Sequence, residues 1–159
     1  MVNELPAAAA RVQKAAEALG LDVSVAIMPA ATRTAEEAAA ACGCGIGQIV
    51  KSLIFKGKET GHGYLLLVSG ANRVNEKAVG ARLGEAIVRP DADFVREAAG
   101  FAIGGIPPLG HPVPLVPWFD ADLLQYGTVW AAAGTPHAVF AVDPNRLREA
   151  TRAIVIAVT

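Results

Sequence analysis

The chain has 159 residues, 53% hydrophobic but only 6% aromatic, with 18% charged residues and a net charge of −1. This length suits one domain with its own core, so residues 1–159 are expected to form a single domain. So apolar a composition excludes a disordered chain, and the near-neutral charge argues against a surface that grips long nucleic acid. Alanine fills the gap left by aromatics, with 32 copies, and residues 98–142 carry only Asp120 and Asp122 as charges. Runs this free of charge raise a membrane question. Pro107, Pro108, Pro112, Pro114 and Pro117 in the first run, and Gly127, Gly134 and Pro136 in the second, argue for strands and loops instead. No basic-then-apolar leader opens the sequence, and a soluble, cytoplasmic protein is expected.

The predicted elements follow in chain order. Leu5, Ala9, Val12, Ala16 and Leu19 share one helical face, and Gly20 stops that helix. Val23, Val25 and Ile27 alternate as a short strand. Thr34 and Glu37 form a capping box for an alanine-rich helix that ends near Gly43. Gln48 to Phe55 reads as a strand with Lys51 on the same face as Ile49 and Leu53, and Tyr64 to Val68 as a central strand. Asn75 and Asp91 cap helices that Gly84 and Gly100 end, with a short strand at Ala86 to Val88 between them. Strands are expected at Phe101–Ile106, Val113–Trp118, Thr128–Ala132, Ala138–Val142 and Ile154–Val158, with Asp143-Pro144 opening a helix before the last. Strands crowd the second half too closely for helical crossovers. The fold class is therefore α+β, a mixed or antiparallel barrel-like sheet with flanking helices.

Three features stand out as candidate chemistry. Lys51 lies alone on an apolar face; it either snorkels at an edge or points its ammonium at a phosphate or carboxylate. Gly104-Gly105-Ile106-Pro107-Pro108-Leu109-Gly110-His111 combines close-approach glycines with rigid prolines. Such a loop can aim peptide N–H groups at a developing oxyanion. Gly134-Thr135-Pro136-His137 reads as a turn between strands, with a ligand-facing turn as the alternative. His62, His111 and His137 lack metal-ligand spacing, and no cofactor loop is present, so neither metal nor cofactor is expected. Cys42-Gly43-Cys44 is more simply a helix end than a redox pair.

Ile49-Val50-Lys51-Ser52-Leu53, followed by the Gly104 to Gly110 stretch, resembles the YbaK/EbsC, or ProX-like, free-standing aminoacyl-tRNA deacylases. These are similar to the editing insertion domain of bacterial prolyl-tRNA synthetases. The resemblance spans roughly residues 23 to 155 and includes Leu65 to Val74, in which Ser69 and Gly70 are assigned to substrate binding. It implies hydrolysis of the ester joining a wrong amino acid to the 3′ adenosine of a tRNA. Lys51 would hold the terminal nucleotide, and Gly104, Gly105, Ile106, Pro107 and Pro108 would position the aminoacyl group. Met28, Thr32, Ser52 and Ile106 are expected to wall the pocket, with Gly110, His111, Gly134 and His137 nearby. Ala132 to His137 and Val139 depart from the pattern of cysteine-specific members. The departure points to the groups that clear alanine or 2-aminobutyrate from proline tRNA. The expected partners are a tRNA acceptor end and prolyl-tRNA synthetase, with no membrane. A non-catalytic module that binds aminoacyl-tRNA or a synthetase is the competing reading.

Overall fold

The computed structural model describes residues 5–159. Its helices are α1 (Ala7–Ala18), α2 (Ala35–Cys42), α3 (Glu76–Leu83), α4 (Ala92–Ala99) and α5 (Pro144–Thr151). Its strands are β1 (Ala26–Ile27), β2 (Ile49–Gly57), β3 (Gly63–Ser69), β4 (Ile87–Val88), β5 (Trp118–Asp120), β6 (Val129–Ala132), β7 (Ala138–Val142) and β8 (Ile154–Ile156).

The helix boundaries follow from local chemistry. The Thr34 hydroxyl accepts from the Glu37 amide and the Glu37 carboxylate accepts from the Thr34 amide, which closes the expected capping box. Asn75, Asp91 and Asp143 accept in the same way from Ala78, Phe94 and Asn145. Gly43, Gly84 and Gly100 end their helices in the left-handed conformation.

The eight strands form one mixed sheet in the order β1-β7-β6-β2-β3-β5-β8, with β4 added to β2. The sheet is not closed: β1 and β8 end it, so the barrel-like expectation resolves as an open sheet. Pairings β2–β6, β3–β5 and β5–β8 are parallel and the others antiparallel. Two apolar clusters sandwich it. Val50, Ile54, Leu65 and Leu67 face α1, α4 and α5 through Val12, Val95 and Leu147. Phe55, Leu66 and Val68 face α3 through Val79, together with Val74 and Val158.

Two expected strands do not form. Residues 101–106 are irregular, and of Val113–Trp118 only Trp118 joins a strand. Five prolines between 107 and 117 supply no N–H to a ladder, so this stretch crosses the molecule as a rigid loop. The strand expected from Val23 shortens to Ala26–Ile27, because the Gln13 side chain takes up the Val23 carbonyl and the Val25 amide.

Candidate functional site

β2 is the longest strand, and its two edges are treated differently. Along one edge β3 pairs with it continuously from Val50 to Lys56. Along the other, β6 pairs only with Ile49 and Val50, and β4 only with Lys56 and Gly57. Between those contacts the sheet has a gap. Pro90, two residues past the end of β4, has no N–H with which to extend the pairing. A cleft of about 380 Å³ occupies this gap, lined by every residue from Ile49 to Phe55. The loop after β4 contributes Arg89 and Pro90, β6 contributes Trp130 to Ala132, and the glycine loop contributes Ile103 to Ile106. Thr32 to Ala35, with Ala38, Val95 and Val139, complete the wall.

Lys51 enters the cleft from the β2 face that also carries Leu53 and Phe55, as its alternation dictates, with Val68 opposite it on β3. Its Nζ donates to the Asn72 carbonyl at 2.6 Å. An ammonium has three N–H donors, so two are left for a ligand. The Asn72 side-chain amide donates to Asp120 at 2.9 Å and to Asp122 at 2.7 Å. Asp120 is itself 1% exposed and accepts from the Ser69 and Asp122 amides. A buried carboxylate thus fixes the turn that fixes the lysine. Burial lowers the Lys51 pKa from the ordinary lysine value, and Glu36 and Asp120 partly oppose that while Arg73 and Arg89 add to it.

The glycine loop is held by backbone contact. The Gly134 amide donates to the Gly105 carbonyl at 2.8 Å. A Cβ on Gly105 would stand 2.9 Å from the Thr135 backbone, so only glycine allows this approach. Gly104 has φ +99 and sits under the stem of Arg33. Among the described residues the amides of Gly104 and Ile106 have no acceptor. Ser52 Oγ is likewise buried without a partner.

Of the residues expected in the site, Lys51, Ser52, Thr32, Gly104, Gly105 and Ile106 line the cleft. The others lie elsewhere. Pro107 and Pro108 are buried beside it, and the Pro107 carbonyl bonds His111 Nε2 at 2.8 Å. Gly110 packs on Ala15 of α1, and Gly134 on Ala8. His137 Nδ1 meets the Met28 carbonyl at 3.2 Å, which ties that turn to β1 outside the cleft. Ser69 donates to the Gly47 carbonyl, and Gly70 leaves room for the Ile46 carbonyl, so both serve the β3 terminus. Cys42 and Cys44 lie outside the cleft, and burial pushes the Cys42 thiol up to about 11, away from the thiolate form. Arg33, Arg89, Ile103 and Trp130 are cleft residues that no local motif announced. Among the described residues no histidine, cysteine or carboxylate lines the cleft.

Main chain, one lysine and two arginines thus line a cleft in an α+β domain built around one gapped sheet. A family model described as the aminoacyl-tRNA editing domain matches residues 29–150, and the chain belongs to that family. It is similar over its whole length to a solved protein described as a candidate trans-editing enzyme for prolyl-tRNA synthetase. The identity is 47%, the TM-score 0.91, and the match covers 98% of this chain and 99% of that one. The solved protein APE2540 matches at 33% identity and TM-score 0.86, over 93% of this chain and 98% of its own. The uncharacterized protein YwhH of Bacillus subtilis (strain 168) is 28% identical over 116 residues, 73% of each chain. No helix among the described residues is long and apolar enough to cross a membrane.

Proposed function

We propose that the chain is a trans-editing deacylase that hydrolyses the ester of mischarged tRNA, with tRNA(Pro) carrying alanine or 2-aminobutyrate as substrate. The observation that carries this reading is the cleft itself. One wall presents the Lys51 ammonium and the other the 104–106 loop with its unengaged Gly104 and Ile106 amides. An aminoacyl ester is already activated, so a positioned water suffices as nucleophile. The water oxygen adds to the acyl carbon, and the loop N–H groups stabilise the oxyanion. The ester C–O bond then breaks, and the proton from water ends on the 3′ oxygen of the ribose. Lys51 holds the phosphate or sugar of the terminal nucleotide, and Arg33 and Arg89 at the same cleft add positive charge. Proton transfer falls to the tRNA's own neighbouring ribose hydroxyl, since His111 and His137 lie outside the cleft.

Specificity comes from volume. The apolar wall of Ile49, Ile106, Ala131 and Val139 favours a short side chain, and one methylene is worth about 1–3 kcal/mol in such a pocket. The test is a panel of misacylated tRNAs, followed by loss of the ester. Fastest turnover of alanyl- or 2-aminobutyryl-tRNA(Pro) is expected. Tight binding of charged tRNA with no ester loss on any member overturns the hydrolase reading and leaves a binding module.

A further inference from the structure

The gap in the sheet leaves a definite set of peptide groups unpaired. The Gly57 amide donates to His62 and the Ile49 carbonyl accepts from Gly70, so odd-numbered residues of β2 turn their main chain toward β3. The Lys58 amide donates to Ala86, so even-numbered residues turn theirs toward β6 and β4. Val50 is paired by β6 and Lys56 by β4. Ser52 and Ile54 remain. Among the described residues nothing pairs with their N–H or C=O groups, and both residues line the cleft. Main-chain groups in the middle of a sheet are rarely left so. The unpartnered Ser52 hydroxyl lies on the same residue.

We propose that this open edge of β2 is a main-chain docking site that reads the α-amino acid portion of the substrate as a one-residue strand would be read. A strand carbonyl accepts from the α-amino group, and the adjacent strand N–H donates to the acyl oxygen. This rests on the deacylase reading and adds the recognition element to it. The gap fits a ligand of this size. Its two free residues repeat about every 7 Å along the strand, and β6 and β4 block both ends, so a longer peptide strand has nowhere to run. The carbonyl oxygen has two lone pairs, so an edge N–H and a loop N–H can share it. No carboxylate lines the cleft to take the amine instead.

The experiment uses the full chain, isotopically labelled, and two non-hydrolysable probes, 3′-deoxy-3′-(alanylamino)adenosine and its propionylamino counterpart without the α-amino group. In the free protein the Ser52 and Ile54 amides are expected to exchange with solvent faster than those of Lys51, Leu53 and Phe55. Saturation with the alanyl probe is expected to protect Ser52 and Ile54, and the propionyl probe to bind about tenfold more weakly, the worth of one such hydrogen bond. Ser52 and Ile54 amides that stay unprotected at the highest probe concentration, or probes of equal affinity, overturn the proposal. Ester loss from charged tRNA is measured separately, so an active enzyme with an unread edge is distinguishable from an inactive one.

Discussion

At the scale of single residues the proposed activity depends on one ammonium and on what holds it. Lys51→Ala removes the one lysine that lines the cleft among the described residues and no member of either core cluster, and the expected result is a roughly hundredfold or greater loss of ester cleavage with an unchanged fold by circular dichroism. Asn72 touches Lys51 only through its carbonyl, while its side chain is tied to Asp120 and Asp122. Asn72→Ala is therefore expected to slow cleavage in the wild-type background and to change nothing further in the Lys51→Ala background, measured as a double-mutant cycle. Additive losses would show that Asn72 acts independently of the lysine. Ser52→Ala deletes a buried hydroxyl that has no partner, so stability by chemical denaturation should change by less than about 1 kcal/mol. Lys51 was legible from strand alternation alone, as a single charge in an apolar register. Asn72 and Asp120 were not, because they meet only when β5 brings Asp120 beside the end of β3.

At the scale of elements, two turns decide whether the cleft keeps its shape. Gly105 faces the Thr135 backbone, which no rotamer change can move aside. Gly134 has φ +93 and faces the Ala8 backbone at about 3.0 Å, so it too is intolerant of a side chain. Both Gly105→Val and Gly134→Ala are expected to lower the melting temperature. Turnover per folded molecule should fall further in Gly105→Val, because Gly105 lines the cleft and Gly134 does not. Equal residual turnover would place the loop outside the reaction. The helices and long strands were readable because their signals are local: a capping side chain at Thr34, Asn75, Asp91 or Asp143, and a glycine at the far end. Phe101–Ile106 and Val113–Pro117 were misread as strand because apolar runs suggest strand and loop alike. The glycine–proline segment that overlaps and links them was read as a rigid loop, and it is buried at Gly105–Leu109, packed against α1 and the 134–135 turn.

At the scale of the whole molecule, stability should depend on pH through two groups outside the cleft. Glu85 accepts from Tyr64, from Thr60 through hydroxyl and amide, and from the Glu59 amide, which clamps the β2–β3 hairpin. These bonds hold its pKa at about 2, against an ordinary value of 4.5. A carboxylate with a depressed folded-state pKa contributes stability that is full above pH 4.5 and is lost as pH falls toward 2. His111 has its pKa lowered from 6.5 by burial, partly offset by its bond to the Pro107 carbonyl. The unfolded chain binds its proton first, so stability also begins to fall below about pH 6.5. Denaturation curves at pH 7.5, 5.5 and 3 should show both losses, and His111→Gln should remove most of the first while leaving the second. A flat profile between pH 7.5 and 5.5 in the parent protein would refute the part assigned to His111.

The sequence by itself determined the local units and the family. Caps, glycine stops, the alternation around Lys51 and the Gly104-to-Pro108 signature are all written within short windows, where propensity and steric rules act between near neighbours. Only the tertiary structure decided which of the expected residues share a cleft. Met28, His111 and His137 carry chemistry suited to a site, yet His111 is tied to the Pro107 carbonyl and His137 to the Met28 carbonyl, outside the cleft. Arg33, Arg89 and Trp130 carry no motif, yet they reach the gap in the sheet. The gap itself arises from register. β6 stops pairing at Val50 and β4 begins at Lys56, and that mismatch between strands distant in sequence is invisible to any local pattern.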